Sequence, residues 1–137
     1  MKTYMLDTCI CSFIMREMPV SVLNRLEVEV GKGNRIVISA VTYAEMRYGQ
    51  IGKKASPRIG PLIDEFVRRL DGVLPWDASA IDMALAVRQA LAASGTPIGN
   101  NDAAIAAHAM AMDCTLVTNN MREFGRVAGL AVEDWVY

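Results

Sequence analysis

The sequence predicts an α/β fold built on one parallel sheet, and three observations predict it. Short apolar runs of strand length alternate with longer stretches of helical periodicity along all 137 residues. The segments between the runs are long enough for right-handed crossovers, which cover a parallel sheet on both faces. Hydrophobic residues make up 53% of the chain and charged residues 21%, the balance of a folded protein rather than a disordered one. At this length a single domain over 1–137 is expected, with enough chain to bury a core.

Each element follows from local chemistry. Thr3 to Leu6 reads as a strand that delivers Asp7 to its end. A helix is expected over Thr8 to Met15; Pro19 ends or restarts it, and Val20 to Val30 follows. Gly31 to Asn34 is a turn, and Arg35 to Ser39, with Ile36, Val37 and Ile38, is a buried strand. Ala40 to Tyr48 reads as a helix closed by Gly49 in a left-handed cap. Between Gly49 and Pro61, three glycines, two prolines and the basic Lys53, Lys54 and Arg58 mark the most flexible loop. Ile63, Phe66, Val67 and Leu70 recur at i, i+3, i+4 and i+7, an amphipathic helix with Arg68 and Arg69 on its wet side. Val73 and Leu74 form a short strand before Trp76. Asp77 caps a long helix whose expected apolar stripe is Ile81, Ala84, Leu85, the stem of Arg88, and Leu91, with Gly95 stopping it. Thr96 to Asn101 is a loop, and Asp102 to Met112 a nearly wholly apolar, buried helix. Thr115 to Val117 is a strand, Asn119 to Phe124 a helical turn, and Leu130 to Val132 a last strand.

Composition excludes several classes. A net charge of −1 is unlike a general polyanion binder, so any work on nucleic acid rests on local arginines and bound cations. Cys9, Cys11 and Cys114 make an odd set without a disulfide framework, and the lone His108 completes no zinc spacing. The N-terminal apolar stretch is cut by Asp7, unlike an export signal, and no apolar run of about 18 residues could span a bilayer. A cytoplasmic protein without membrane association is expected.

Three carboxylates stand out by position. Asp7 follows the first strand, Glu45 lies in the helix after the second, and Asp102 opens the buried helix; Asn119 or Asn120 follows the Thr115–Val117 strand. Each has an ordinary reading as well. Asp7 and Asp102 suit helix N-caps, Thr42-x-x-Glu45 has the form of a capping box, and the asparagines suit a turn. Together they are harder to assign to capping. Parallel sheets gather functional groups at the carboxyl ends of their strands, and acids near a core are costly unless paired or bound to a metal. A hard divalent cation, Mg²⁺ or Mn²⁺, is the partner that such oxygens prefer, and its chemistry suits phosphodiester hydrolysis. Thr8 and Ser39 have hydroxyls that could orient the site, with helix capping the alternative. His108 reads as a satisfied core or interface histidine. Arg47, Lys53, Lys54, Arg58, Arg122 and Arg126 are candidate contacts to a nucleic-acid backbone, although any single one is more often solvated surface.

Four motifs, in family order across nearly the whole chain, resemble the VapC toxins. They are Tyr4-Met5-Leu6-Asp7-Thr8; Ile38 to Met46 around Glu45; Pro97 to Asp102 running on through Ile105 to Ala109; and Leu116 to Asn120 with Arg122-Glu123-Phe124. The resemblance implies a single PIN domain, a three-layer α/β/α fold. It implies a Mg²⁺- or Mn²⁺-dependent endoribonuclease of a type II toxin–antitoxin system, a homodimer, and a VapB-type antitoxin partner. The branch most resembled cuts tRNA in the anticodon stem-loop. By motif position Asp7, Glu45 and Asp102 match the metal-binding acids and form the catalytic set, with Asp7 and Asp102 foremost as metal ligands and Thr8, Ser39 and Asn120 as support. Two places depart from the family: Cys9 stands third where Asp-Thr-Asn is common, and Asn119-Asn120 stands where many members carry an acid. One-ion catalysis is therefore as open as two-ion.

Two other classes compete. A phosphotransfer domain with Asp7 as covalent acceptor would want an aspartate where Cys9 stands, or a lysine where Thr118 stands. A non-catalytic binding module, its acids merely capping helices, would have no affinity for metal.

Overall fold

The computed structural model describes residues 1–52 and 55–137. β1 (Thr3–Leu6) leads into α1 (Thr8–Arg16) and α2 (Val20–Gly31), and β2 (Arg35–Ser39) into α3 (Ala40–Tyr48) and α4 (Ile59–Arg69). β3 (Gly72–Leu74) leads into α5 (Ala78–Ala93) and α6 (Asn100–Ala111); β4 (Thr115–Val117), α7 (Met121–Phe124) and β5 (Val132–Glu133) complete the chain. The sheet has the order β3-β2-β1-β4-β5, with every pair parallel. The chain therefore winds outward from β1 to β3, then returns to lay β4 on the other flank of β1. That reversal opens a crevice at the carboxyl ends of β1 and β4, where open α/β sheets carry their sites.

Strand alternation sorts the core into two layers. Tyr4, Leu6, Ile36 and Ile38 face one side, packing with Ile10, Val22, Ile63 and Phe66 of α1, α2 and α4. Met5, Val37 and Leu116 face the other, against Val87 and Leu91 of α5 and Ile105, Ala106 and Ala109 of α6. These are the three expected layers. Burial of Met5, Leu6, Val37, Ile38 and Leu116 is complete, and truncating an aliphatic core residue of this kind to alanine costs about 2–5 kcal/mol. A polar seam joins the elements at the amino end of the sheet. Buried Glu29 accepts from Tyr4 Oη at 3.3 Å, Asn34 Nδ2 at 3.1 Å and Arg25 Nε at 3.3 Å. Arg25 in turn reaches Glu133 at 2.8 Å.

Several expectations are corrected. The α5 stripe is right at Ala84 and Leu91, which pack into the core, but wrong at three places: Ile81 and Leu85 are 52% and 59% exposed, Arg88 is exposed, and Ala80 and Val87 are buried instead. Val87 and Leu91 of α5 pack against Ile105 and the alanine face of α6, Ala106, Ala107 and Ala109. Gly49 is right-handed, at φ −63°. A Cβ there would lie 3.2 Å from the Met46 carbonyl, so what glycine supplies is space. The loop after α3 is shorter than expected, because Gly60 and Pro61 already belong to the first turn of α4, where a missing N–H is harmless. The expected flexibility around Lys53 and Lys54 lies outside the described residues. α6 starts at Asn100, before Asp102. The last strand is Val132–Glu133, not Leu130 to Val132: register pairs Leu116 with Val132, and Leu130 packs into the core ahead of it. Asp77 does cap α5, accepting from Ala80 N at 3.0 Å. Asp77→Ala is therefore expected to cost about 1 kcal/mol in denaturant unfolding, with the midpoint lowered and the slope unchanged.

Candidate active site

Asp7 leaves β1 with its N–H bonded to the Val117 carbonyl at 3.0 Å, and so stands between the ends of β1 and β4. Its Oδ1 accepts from Ile10 N at 2.8 Å, the N-cap bond of α1. Its Oδ2 accepts from the Thr118 hydroxyl, which itself accepts from Asn120 N at 2.9 Å. The capping reading of Asp7 holds through one oxygen, while Thr118 fixes the other. Only 4% of the residue is exposed. Burial drives its pKa up to about 6; the Thr118 and Ile10 bonds oppose this, and the charges of Glu45 and Asp134 add to it.

Glu45 is placed by α3, whose N-cap is Ser39, accepting from Val41 N at 3.0 Å. Thr42 lies inside the helix, so the Thr42–Glu45 capping box does not form. Instead the Thr8 hydroxyl donates to Glu45 Oε1 at 2.7 Å, which makes Thr8 a support of the site. Asp102 is the third residue of α6. Burial raises its pKa to about 7, followed by a hydrogen bond with Glu123 and then the charges of Glu123, Glu45 and Asp7. Cys9 feels the same group: burial raises its thiol first, then Asp7, Asp102 and Glu45. The three predicted acids share one field.

Glu123 is the member that sequence reasoning missed. It stands in α7, where Asn120 Oδ1 accepts from Glu123 N at 3.4 Å and Asn120 Nδ2 donates to Glu123 Oε2 at 3.2 Å. Although Asn119-Asn120 departs from the family at the fourth motif, an acid does lie close by, three residues beyond Asn120. The signal was Asn120-x-x-Glu123, which has the form of a capping box and so passes for structure alone. Asn120 supports the site by holding this acid. Ser39 does not face the acids; it bonds His108 Nδ1 at 2.8 Å.

The basic candidates divide. Arg47 is engaged with Asp64, with Tyr43 Oη at 3.0 Å and with Gln50 Oε1 at 2.9 Å, so it braces α3 on α4 rather than offering itself to RNA. Arg126 donates to the Pro97 carbonyl at 3.1 Å. Arg58 and Arg122 are exposed, and Lys53 and Lys54 lie outside the described residues.

Among the described residues, no ion pair neutralises Asp7, Glu45, Asp102 or Glu123. Nor do any three acidic, histidine or cysteine groups stand at ligating separation among them. Mutual repulsion shows instead as raised proton affinity at Asp7 and Asp102, to which the neighbouring carboxylates contribute after burial. An all-oxygen donor set short of positive charge fits a hard divalent ion.

The chain matches the PIN domain family model over residues 4–130. It is 42% identical to the tRNA(fMet)-specific endonuclease VapC of Shigella flexneri, covering 98% of this chain and 99% of that protein. It is 39% identical to ribonuclease VapC2 of Rickettsia felis, over 96% and 97% of the two chains. Among solved structures, VapBC2 of Rickettsia felis bound to a DNA fragment from its promoter superposes with a TM-score of 0.88 at 38% identity, covering 97% of this chain and 98% of that one. DNA-bound VapBC of Salmonella typhimurium gives 0.88 at 36% identity, over 98% and 99%.

Proposed function

Because the chain belongs to the PIN-domain family, among the VapC ribonucleases of toxin–antitoxin systems, we propose that Asp7, Glu45, Asp102 and Glu123 form the centre that cuts RNA. The observation that carries this is four carboxylates in one crevice, two with strongly raised proton affinity, and no cation paired with them among the described residues. We take the resident ion to be Mg²⁺ or Mn²⁺, in line with the divalent-metal dependence general to PIN-domain ribonucleases. When bound, such an ion activates water and neutralises charge on the phosphate.

The residues of the chain have separable parts in this. Asp7 is held at both oxygens, so its orientation is fixed before an ion arrives. Glu45 is oriented by Thr8 and Glu123 by Asn120. Burial and the neighbouring Glu123 together raise the proton affinity of Asp102, which keeps its proton up to about pH 7 in the metal-free protein. No residue of the set is a covalent nucleophile in this reading; Asp7 serves as a ligand, not as a phosphate acceptor.

The substrate we assign is tRNA, cut in the anticodon stem-loop, by likeness to the relative whose specificity is tRNA(fMet). The partners are a VapB-type antitoxin and a second copy of this chain, by likeness to the VapBC complexes. The workplace we assign is the cytoplasm, where its tRNA substrate is found. Among the described residues no helix is long and apolar enough to cross a membrane.

Two measurements test the centre. Purified protein is expected to cleave tRNA with Mg²⁺ or Mn²⁺ and to stop on excess EDTA. Mn²⁺ is also expected to stabilise the fold, by about 2.7 kcal/mol at a hundred times its dissociation constant. Cleavage that persists in EDTA, or a melting temperature indifferent to Mn²⁺, would refute the metal centre. The second result would favour a binding module whose acids only cap helices.

A further inference from the structure

His108 lies six residues past Asp102 on α6, is fully buried, and takes no part in the acidic crevice. Its Nδ1 bonds Ser39 Oγ at 2.8 Å. Ser39 ends β2 and caps α3, accepting from Val41 N with the same oxygen. The bond therefore joins the helix that carries Asp102 to the cap of the helix that carries Glu45. It is the one side-chain hydrogen bond between these two helices and their caps among the described residues. Trp76 holds the ring from the β3–α5 connection, edge-on at 5.3 Å between centroids. Nε2 meets no described group at full hydrogen-bond geometry; burial lowers the ring's pKa, opposed by the charge of Asp77 and by a looser backbone contact with Pro75. A buried polar group left half-satisfied carries a cost that packing alone does not explain.

We propose that His108 is a positioning residue for the metal centre, its bond to Ser39 fixing the spacing between Glu45 and Asp102. Neither helix could set that spacing alone. Like charges push the two acids apart, and α3 is short, so its direction depends on how its first turn is tied. The inference rests on the metal-centre reading above and adds to it a residue without a place in the acidic set.

The useful variants separate the two ends of the ring. The amide nitrogen of His108→Asn takes the place of Nδ1 and can keep the Ser39 bond, while it removes Nε2. His108→Ala removes both ends, and Ser39→Ala removes the bond from the other side. Mn²⁺ binding to each folded, full-length variant would be measured by titration calorimetry, beside its melting temperature. His108→Ala and Ser39→Ala are expected to weaken Mn²⁺ binding about tenfold, at the lower end of the range for residues that orient metal ligands. The double variant should be no weaker than either single one, as for two ends of one bond. His108→Asn should bind within about threefold of the unsubstituted protein, half the logarithm of that tenfold loss, even where its melting temperature falls. Should His108→Ala not fold, Ser39→Ala against the unsubstituted protein still decides. Lowered melting temperatures with unchanged Mn²⁺ affinity would leave His108 a core residue and overturn the inference alone. An unsubstituted protein that binds no Mn²⁺ would overturn the metal-centre reading, and this inference with it.

Discussion

Asp7→Asn is expected to abolish RNA cleavage while making the metal-free protein more stable at pH 7, by as much as about 3 kcal/mol. The gain follows from burial. Asp7 is 4% exposed, and its folded-state pKa is about 6 against an ordinary value of 3.8. The unfolded chain therefore releases this proton near pH 4 and the folded chain only near pH 6. Between those values the folded state binds more protons, so stability falls as pH rises through the window and is level above it. An amide in place of the carboxyl removes that dependence. Its oxygen can still accept from Ile10 N, preserving the cap of α1. The loss of cleavage has a separate cause, the loss of a charged oxygen at the centre of the site. It should be at least about a hundredfold, since even residues that only support a metal ligand are worth up to that. Urea unfolding from pH 4 to 8 without metal, beside a tRNA cleavage assay, checks both halves. A variant that is destabilised at pH 7 and still cuts RNA would remove Asp7 from the centre and its buried charge from the account.

That opposition of stability and activity explains how much of the site was legible in the sequence. Asp7, Glu45 and Asp102 were readable because charge in apolar surroundings is anomalous: each interrupts or adjoins a run that otherwise belongs to the core. The parallel sheet was readable for a related reason, since strands buried on both faces are nearly continuous apolar runs. Glu123 was not readable on those terms. It sits in a short polar turn where an acid is ordinary, and its bond to Asn120 is the one a capping box would make. The α5 face was misread because periodicity weights large side chains. The face turned to α6 carries Ala84, Val87 and Leu91, which leaves Ile81 and Leu85 outside. Ser39 was assigned to the right helix start but to the wrong neighbour. Its partner, His108, is 69 positions away, a contact that only the packing of α3 on α6 creates.

Glu123→Gln is the second large expected effect, and it reads the proton that the site holds without metal. Asp102 has its pKa raised to about 7, and after burial the neighbouring Glu123 is the largest cause. Asp102 therefore keeps its proton up to about pH 7, because ionising it in a buried place beside another carboxylate is costly. A divalent ion must displace that proton, so binding should release it and weaken as pH falls below about 7. Glutamine at position 123 cannot ionise and can donate its amide hydrogen to Asp102. Asp102 then ionises at lower pH, and its proton is gone before the ion arrives. Mn²⁺ binding by Glu123→Gln should therefore release fewer protons at pH 6.5 (chosen just below the pKa of about 7) and depend less on pH. Its affinity and cleavage rate should each fall roughly ten- to a hundredfold with one negative oxygen ligand removed. Calorimetry in buffers of different ionisation enthalpy counts the protons directly. An unchanged count with unchanged cleavage would return Glu123 to the role its sequence context suggests, the third residue of a helix turn capped by Asn120. A lower count with unchanged cleavage would keep the proton on Asp102 and place the ion's ligands among Asp7, Glu45 and Asp102 alone.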